Sequence, residues 1–169
     1  MTSDQERITA RKSELADLAL KLSGVQNIPE DILVIGCGDG TEAIGFCESA
    51  ERVIGLDPKL GNEGEWTTAL IPDNVQLIPG IAEELPFEDE SFDFIHFFHV
   101  IEHIQDPKLA IKEAQRVLRK NGTMFVGCPN FWRLIGYIGG GARKWSLLRW
   151  NLSDWWMRVT FRWSNKKGA

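Results

Sequence analysis

Three glycines, Gly36, Gly38 and Gly40, stand at alternate positions directly after the apolar run Ile32-Leu33-Val34-Ile35. Glycine permits positive φ and lets backbone N–H groups approach a ligand with no Cβ in the way. About seventeen residues further on, a second apolar run, Val53-Ile54-Gly55-Leu56, ends in Asp57. A strand, a glycine turn, a helix, a second strand and an acid in this order make a nucleotide-type crevice, with the acid placed to grip ribose hydroxyls. A second constellation, His99-Val100-Ile101-Glu102-His103, reads as H-x-x-E-H, an inverted zinc-hydrolase signature, with His96 nearby. Zinc chemistry needs both histidines on one face of a long helix and a further carboxylate ligand. Here His96 and His99 belong to a strand-like run, and His96 is expected to be a satisfied core or edge histidine. No Ser-His-Asp or Cys-His arrangement can be read from this order of residues.

The elements that must position these groups follow from periodicity. Ile8, Leu15, Leu18, Ala19 and Leu22 give residues 6–23 a helical spacing that ends near Gly24. Strands are expected at 32–35, 52–56, 74–79, 92–98 and 123–128. Helices are expected over 41–48 and from Asp106-Pro107 to about Arg119, the latter with Leu109, Ala110, Glu113, Val117 and Leu118 on its buried face. Lys120-Asn121-Gly122 reads as the stop. Strand–helix alternation predicts an α/β fold with a doubly wound, mostly parallel, Rossmann-like sheet ordered 3-2-1-4-5. Gly36–Gly40, Asp57, Ala82-Glu83 and Phe98-His99 all fall at carboxyl ends of strands, where such sheets bind ligands.

Composition bounds the class. With 43% hydrophobic and 25% charged residues over 169 positions, the chain can build a real core. No apolar run approaches the ~20 residues that span a bilayer, and residues 1–11 lack the apolar centre of a signal peptide. Cys37, Cys47 and Cys128 show no C-x-x-C spacing, so free thiols in a cytoplasmic setting are expected. The net charge of −5 hides a division. Residues 1–129 carry 11 basic against 23 acidic side chains, a balance of −12. Residues 130–169 carry 8 basic side chains against Asp154 alone, a balance of +7, together with six of the seven tryptophans. We therefore divide the chain into a domain at 1–130 and a basic, Trp-rich tail at 131–169. Trp145, Leu148, Leu152, Trp155, Val159 and Trp163 form a helical stripe in that tail.

The glycine loop is G-x-G-x-G, one residue shorter than the dinucleotide fingerprint. It resembles the D/E-x-G-x-G-x-G loop of class I S-adenosylmethionine-dependent methyltransferases. Gly80-Ile81-Ala82-Glu83-Glu84-Leu85-Pro86-Phe87 with Ser91-Phe92-Asp93, and Val100-Ile101-Glu102-His103-Ile104, are similar to the G-D-A-E-x-L-P-F…S-F-D and V-L-E-H-I/V signatures of the type 11, small-molecule branch. The resemblance covers roughly residues 30–130. It implies S-adenosylmethionine as cofactor, S-adenosylhomocysteine as product, and a small-molecule acceptor, and the Trp-rich tail makes a hydrophobic acceptor the expectation. It places Gly36, Cys37 and Gly38 at the methionine portion, Asp57 and Pro58 at the ribose, Ala82 and Glu83 at the adenine, and Phe98 and His99 at the methionine end. For a hydroxyl or phenol acceptor, His99 or His103 is the nearby group suited to take a proton. No metal is expected.

Two positions depart from the family pattern. Val34 stands where an acid that helps hold the cofactor's amino group is usual. Ile81 stands where an Asp accepts the adenine amino hydrogen. Asp39 or Glu83 are the candidates to compensate. The family also adds a helix and two strands after strand five, one inserted beside it, whereas only the tail follows here. The competing readings are a degenerate binding module without turnover, a zinc hydrolase and a nicotinamide oxidoreductase. Partners expected from the tail are a peripheral membrane surface or a second copy, through strand five's exposed edge or the tail itself. Nucleic acid fits less well, because the acidic body repels phosphates.

Overall fold

The computed structural model describes residues 3–60, 71–127 and 159–161. Helix α1 (Ser3–Leu22) leads into β1 (Asp31–Ile35), the single turn α2 (Thr41–Ile44) and β2 (Arg52–Asp57). Then come β3 (Val75–Pro79), β4 (Phe92–Phe98), α3 (Pro107–Val117), β5 (Leu118–Gly127) and β6 (Val159–Phe161). The strands make one sheet ordered β3-β2-β1-β4-β5-β6, parallel through β5 and antiparallel at β6. The expected order 3-2-1-4-5 is therefore present.

The expected exposed edge on β5 is not. Met124, Phe125 and Val126 pair with Phe161, Thr160 and Val159. An edge strand presents a row of unsatisfied N–H and C=O groups, and a returning segment with β-branched Val159 and Thr160 satisfies them. This corrects the helical stripe at Val159; its other positions, Trp145, Leu148, Leu152, Trp155 and Trp163, lie outside the described residues.

Every residue of β1 is buried, as expected of the central strand of a parallel sheet covered on both faces. Leu33, Ile35, Ile95 and Phe97 face α3, packing on Ala110, Ala114 and Val117. Ile32, Val34, Val53 and Phe94 face α1 and α2 with Ala16, Ala19 and Phe46. Three expectations change in detail. The α1 contact is made by Ala16 and Ala19 while Leu15 and Leu22 are exposed, because small residues let the helix backbone come close. A Cβ on Gly45 would lie 2.8 Å from the Lys12 carbonyl oxygen. At that contact α2 gives way to a 3-10 turn (Cys47–Ser49), so the helix expected over 41–48 is cut short and Phe46 is delivered to the core. In α3, Leu109 is exposed and the helix stops at Val117, before Lys120-Asn121-Gly122. The Arg116 and Val117 carbonyls accept hydrogen bonds from Glu90 N–H (3.0 Å) and Ser91 N–H (2.7 Å), and Leu118 goes straight into strand.

At the amino ends of the strands, Arg119 pairs with Asp31 (2.6 Å) and Asp93 (2.7 Å), and Arg52 with Asp31 (2.5 Å). Asp93 also accepts from the Glu30 and Asp31 N–H groups. These carboxylates are matched by guanidinium and amide donors, which locks the register of the sheet at the end opposite the glycine loop.

Candidate active site

A cavity of about 780 Å³ opens at the carboxyl ends of β1 to β4. Its walls are the glycine loop (Gly36, Gly38, Asp39), the end of β2 (Asp57, Pro58, Lys59), the turn after β3 (Gly80 to Glu83) and the segment after β4 (His99, Val100, His103 to Gln105). Four loops converge there because all four strands are parallel and end on the same side.

The glycine loop works through backbone geometry. Gly36 has φ 71°, and a Cβ there would lie 2.2 Å from Val100 Cγ2, so the Val100 side chain from the post-β4 segment packs directly on the Gly36 backbone. Gly38 has φ 59°, and a Cβ there would meet nothing within 4 Å, leaving open space on the cavity wall. Asp57, 9% exposed, organises the same loop. Its Oδ2 accepts from Gly38 N–H and its Oδ1 from Lys59 N–H, each at 2.9 Å. A carboxylate has about four acceptor sites, so each oxygen keeps capacity for a ligand hydroxyl.

On the opposite wall, Glu83 Oε1 accepts from the N–H groups of Gln105 (3.1 Å) and Asp106 (3.2 Å), tying the turn after β3 to the start of α3. Further along, Leu85 N–H donates to Glu113, and Arg116 donates to the Leu85 (3.0 Å) and Phe87 (2.8 Å) carbonyls. The Arg116 hydrogen bond holds the Glu113 carboxyl below its ordinary range. The loop bearing Ile81 and Ala82 is thereby fastened to α3.

Of the residues singled out in the sequence, Gly36, Gly38, Asp57, Pro58, Ala82, Glu83, His99 and His103 line this cavity. Cys37 and Phe98 do not. The Cys37 side chain is buried on the α1/α2 face over Gly55, and burial pushes its thiol up to about 12, so it is a packing group and not a nucleophile. Phe98 packs on His96 and Phe125. The two departures from the family pattern also separate. Val34 is wholly buried in register with His96, away from the cavity, whereas Ile81 is 47% exposed on its wall. Neither proposed substitute carboxylate is idle: Glu83 makes the bonds above, and Asp39 Oδ1 caps Thr41 through its N–H and hydroxyl.

His96 is buried, lies flat on Phe125 (centroids 5.2 Å apart) and meets Phe46 edge-on (4.9 Å). Burial lowers its pKa to about 3, so the ring is neutral. The expectation that it is satisfied is corrected, since Nδ1 has no hydrogen-bond partner among the described residues. His99 and His103 do not share a long helix face. His99 sits at φ 59° and His103 in the 3-10 turn Ile101–His103, which is not the geometry the zinc signature requires. Sequence reasoning did not place Lys59, Val100, Ile104 and Gln105 in the site; the available signals were that Lys59 and Val100 lie within two residues of strand ends, and that Val100 and Ile104 bound the quoted signature.

A family model described as a methyltransferase domain matches residues 33–126. The chain belongs to the class I S-adenosylmethionine-dependent methyltransferases, in their type 11 branch. Among relatives of this methyltransferase domain, a Mycolicibacterium smegmatis protein named "Probable S-adenosylmethionine-dependent methyltransferase" is 39% identical over 103 residues, 59% of this chain and 38% of its own. The demethylmenaquinone methyltransferase of Staphylococcus aureus is 34% identical over 106 residues, 53% of this chain and 44% of its own. The crystal structure of the YcgJ protein from Bacillus subtilis superposes with a TM-score of 0.60 at 27% identity, covering 73% of this chain and 55% of that one. The chain thus spans about half the length of such relatives or less.

Proposed function

We propose that this domain binds S-adenosylmethionine in the cavity and transfers its methyl group to a small acceptor. The observation that carries the reading is the coupling of the glycine loop to the acid of β2: Gly38 N–H donates to Asp57, and Gly38 leaves open space where any other residue would place a Cβ. The donor set suits the cofactor. Asp57 with Pro58 takes the ribose, the apolar wall of Ile81 and Ala82 with Glu83 takes the adenine, and the Gly36 and Gly38 backbone with His99 takes the methionine portion. When bound, the sulfonium supplies an activated methyl group. The protein's part is alignment and exclusion of water, which can supply several kcal/mol of the barrier. Calorimetric titration with S-adenosylhomocysteine tests the reading; no binding at millimolar ligand refutes it.

A second reading, cofactor binding without turnover, draws on Ile81, which offers hydrocarbon where the family pattern has an acceptor for the adenine amino group. Accumulation of S-adenosylhomocysteine from S-adenosylmethionine in the presence of an acceptor decides against it.

The acceptor side is assigned to residues 131–169, the Trp-rich basic segment, as a lid or platform for a hydrophobic small molecule, attracted to the acidic body. Peripheral contact with an anionic membrane is the alternative use of the same composition. Because β6 occupies the β5 edge, self-association through that edge has lost its main support. Deleting 131–169 removes β6, and the prediction is aggregation in light scattering. A deletion variant as soluble and heat-stable as the parent refutes this, and flotation of the intact chain with anionic liposomes would put the membrane reading first.

A further inference from the structure

The segment that leaves β4, which carries the Val100–Ile104 signature, also holds an arrangement that contact with the cofactor does not by itself require. His99 is a non-glycine residue at φ 59°, a strained conformation that persists only where the surroundings impose it. Its N–H donates to the Gly127 carbonyl (2.8 Å), which extends the β4–β5 ladder by one residue and fixes the turn. The chain then coils through the 3-10 turn Ile101–His103, closed by His103 N–H on the Val100 carbonyl (2.8 Å), and this brings Glu102 back beside His99. Glu102 Oε1 lies 3.9 Å from His99 Nδ1. The Glu102 side chain is only 10% exposed against 38% for His99, and its Oε2 is buried with no hydrogen-bond partner among the described residues. His103 faces the same cavity as His99, but the carboxylate is set against His99.

A buried carboxylate short of donors is costly, and the proton-bearing group set against it is the His99 ring. A carboxylate at one ring nitrogen fixes the tautomer and raises the basicity of the other. We propose that Glu102 is a positioning residue for His99: it holds the proton on Nδ1, so that Nε2 is the proton-accepting atom of the ring at the cavity wall. The inference rests on the methyl-transfer reading above and names its acceptor class, a group bearing O–H or N–H. As the acceptor atom bonds to the methyl carbon, the carbon–sulfur bond breaks with its electron pair kept by sulfur. The acceptor's surplus proton goes to His99 Nε2, and the Glu102 carboxylate balances the resulting imidazolium. The separation of 3.9 Å is longer than a hydrogen bond, and catalytic contacts often tighten only once ligands are bound.

The chain holds three histidines, so ring-¹⁵N-histidine spectra of the full chain are directly assignable with His103→Asn and His96→Phe variants. In the S-adenosylhomocysteine complex, His99 is expected with Nδ1 protonated and Nε2 as the acceptor nitrogen. The isosteric Glu102→Gln variant is expected to lose that preference and show averaged nitrogen shifts. A wild-type spectrum with the proton of neutral His99 on Nε2, or a Glu102→Gln spectrum identical to wild type, overturns the proposal. The wild-type spectrum alone suffices should the variant not fold. Failure of the wild-type chain to bind S-adenosylhomocysteine removes the premise and marks the cofactor reading, not the Glu102–His99 pair, as the fault.

Discussion

Replacing Asp57 tests the cofactor site most directly, because the structure gives that carboxylate a defined set of bonds. Each oxygen already accepts one backbone N–H at 2.9 Å, from Gly38 and from Lys59, leaving one acceptor site per oxygen for a ribose diol. In Asp57→Ala the Gly38 N–H turns to water, since Gly38 is exposed, so the folded state loses little there. What is lost is one to two charge-assisted bonds to the ligand. At about 1.5–3 kcal/mol, this predicts S-adenosylhomocysteine binding weaker by about 10- to 150-fold. Asp57→Asn is not a mild control. Its amide presents NH₂ to either the Gly38 or the Lys59 donor, so a similar loss is expected. A fragment that keeps the ribose but lacks the amino acid, 5′-methylthioadenosine, should weaken by the same factor in calorimetry. An Asp57→Ala protein with the parent's melting temperature that binds S-adenosylhomocysteine within threefold of the parent would refute the assignment of Asp57 to the ribose.

Three further outcomes follow from the geometry. Gly36→Ala should lower thermal stability, because its Cβ overlaps Val100 at a left-handed φ. Gly38→Ala is also strained by a left-handed φ but meets only open cavity, so it should cost less stability than Gly36→Ala and in addition weaken S-adenosylhomocysteine affinity; melting and calorimetry on both variants read the two effects. Ile81→Asp, on the exposed cavity wall, should tighten S-adenosylhomocysteine binding at little cost. Val34→Asp should instead destabilise by a few kcal/mol without tightening it, because it buries a carboxylate in the core; urea unfolding and calorimetry check both. His96 is held at about 3 against an ordinary 6.5, so the unfolded chain takes up its proton first as pH falls. Its contribution to stability is full above pH 6.5 and is lost progressively from there toward 3. His96→Phe should flatten that part of the pH–stability curve in urea titrations between pH 7 and 4.

The local pattern carried the sheet and the cradle. Ile32–Ile35 and the mostly apolar Phe92–Phe98 read as buried strands in a chain of this alternation, and the glycine spacing followed by Asp57 marks the cradle that the Gly38–Asp57 hydrogen bond closes. What followed from contacts between distant segments was not legible. Whether α1 buries its leucines or its alanines depends on Gly45 lying under it, 33 residues after Lys12. Where α3 stops depends on Glu90 and Ser91 reaching its last carbonyls. The β5 edge is closed by Val159–Phe161, a pairing that no periodicity in either strand announces. In the site, the types of His99, Glu102 and His103 were readable, but their relation was not. A strand or helix period would have set their directions, whereas a left-handed residue and a 3-10 turn redirected them. Sequence by itself determined which residues can do chemistry at the strand ends. Only the tertiary structure decided that Val34 and Cys37 point into the core, that Ile81 faces the cavity, and that a buried carboxylate stands behind His99, because a side chain's direction is set by the packing of the segments around it.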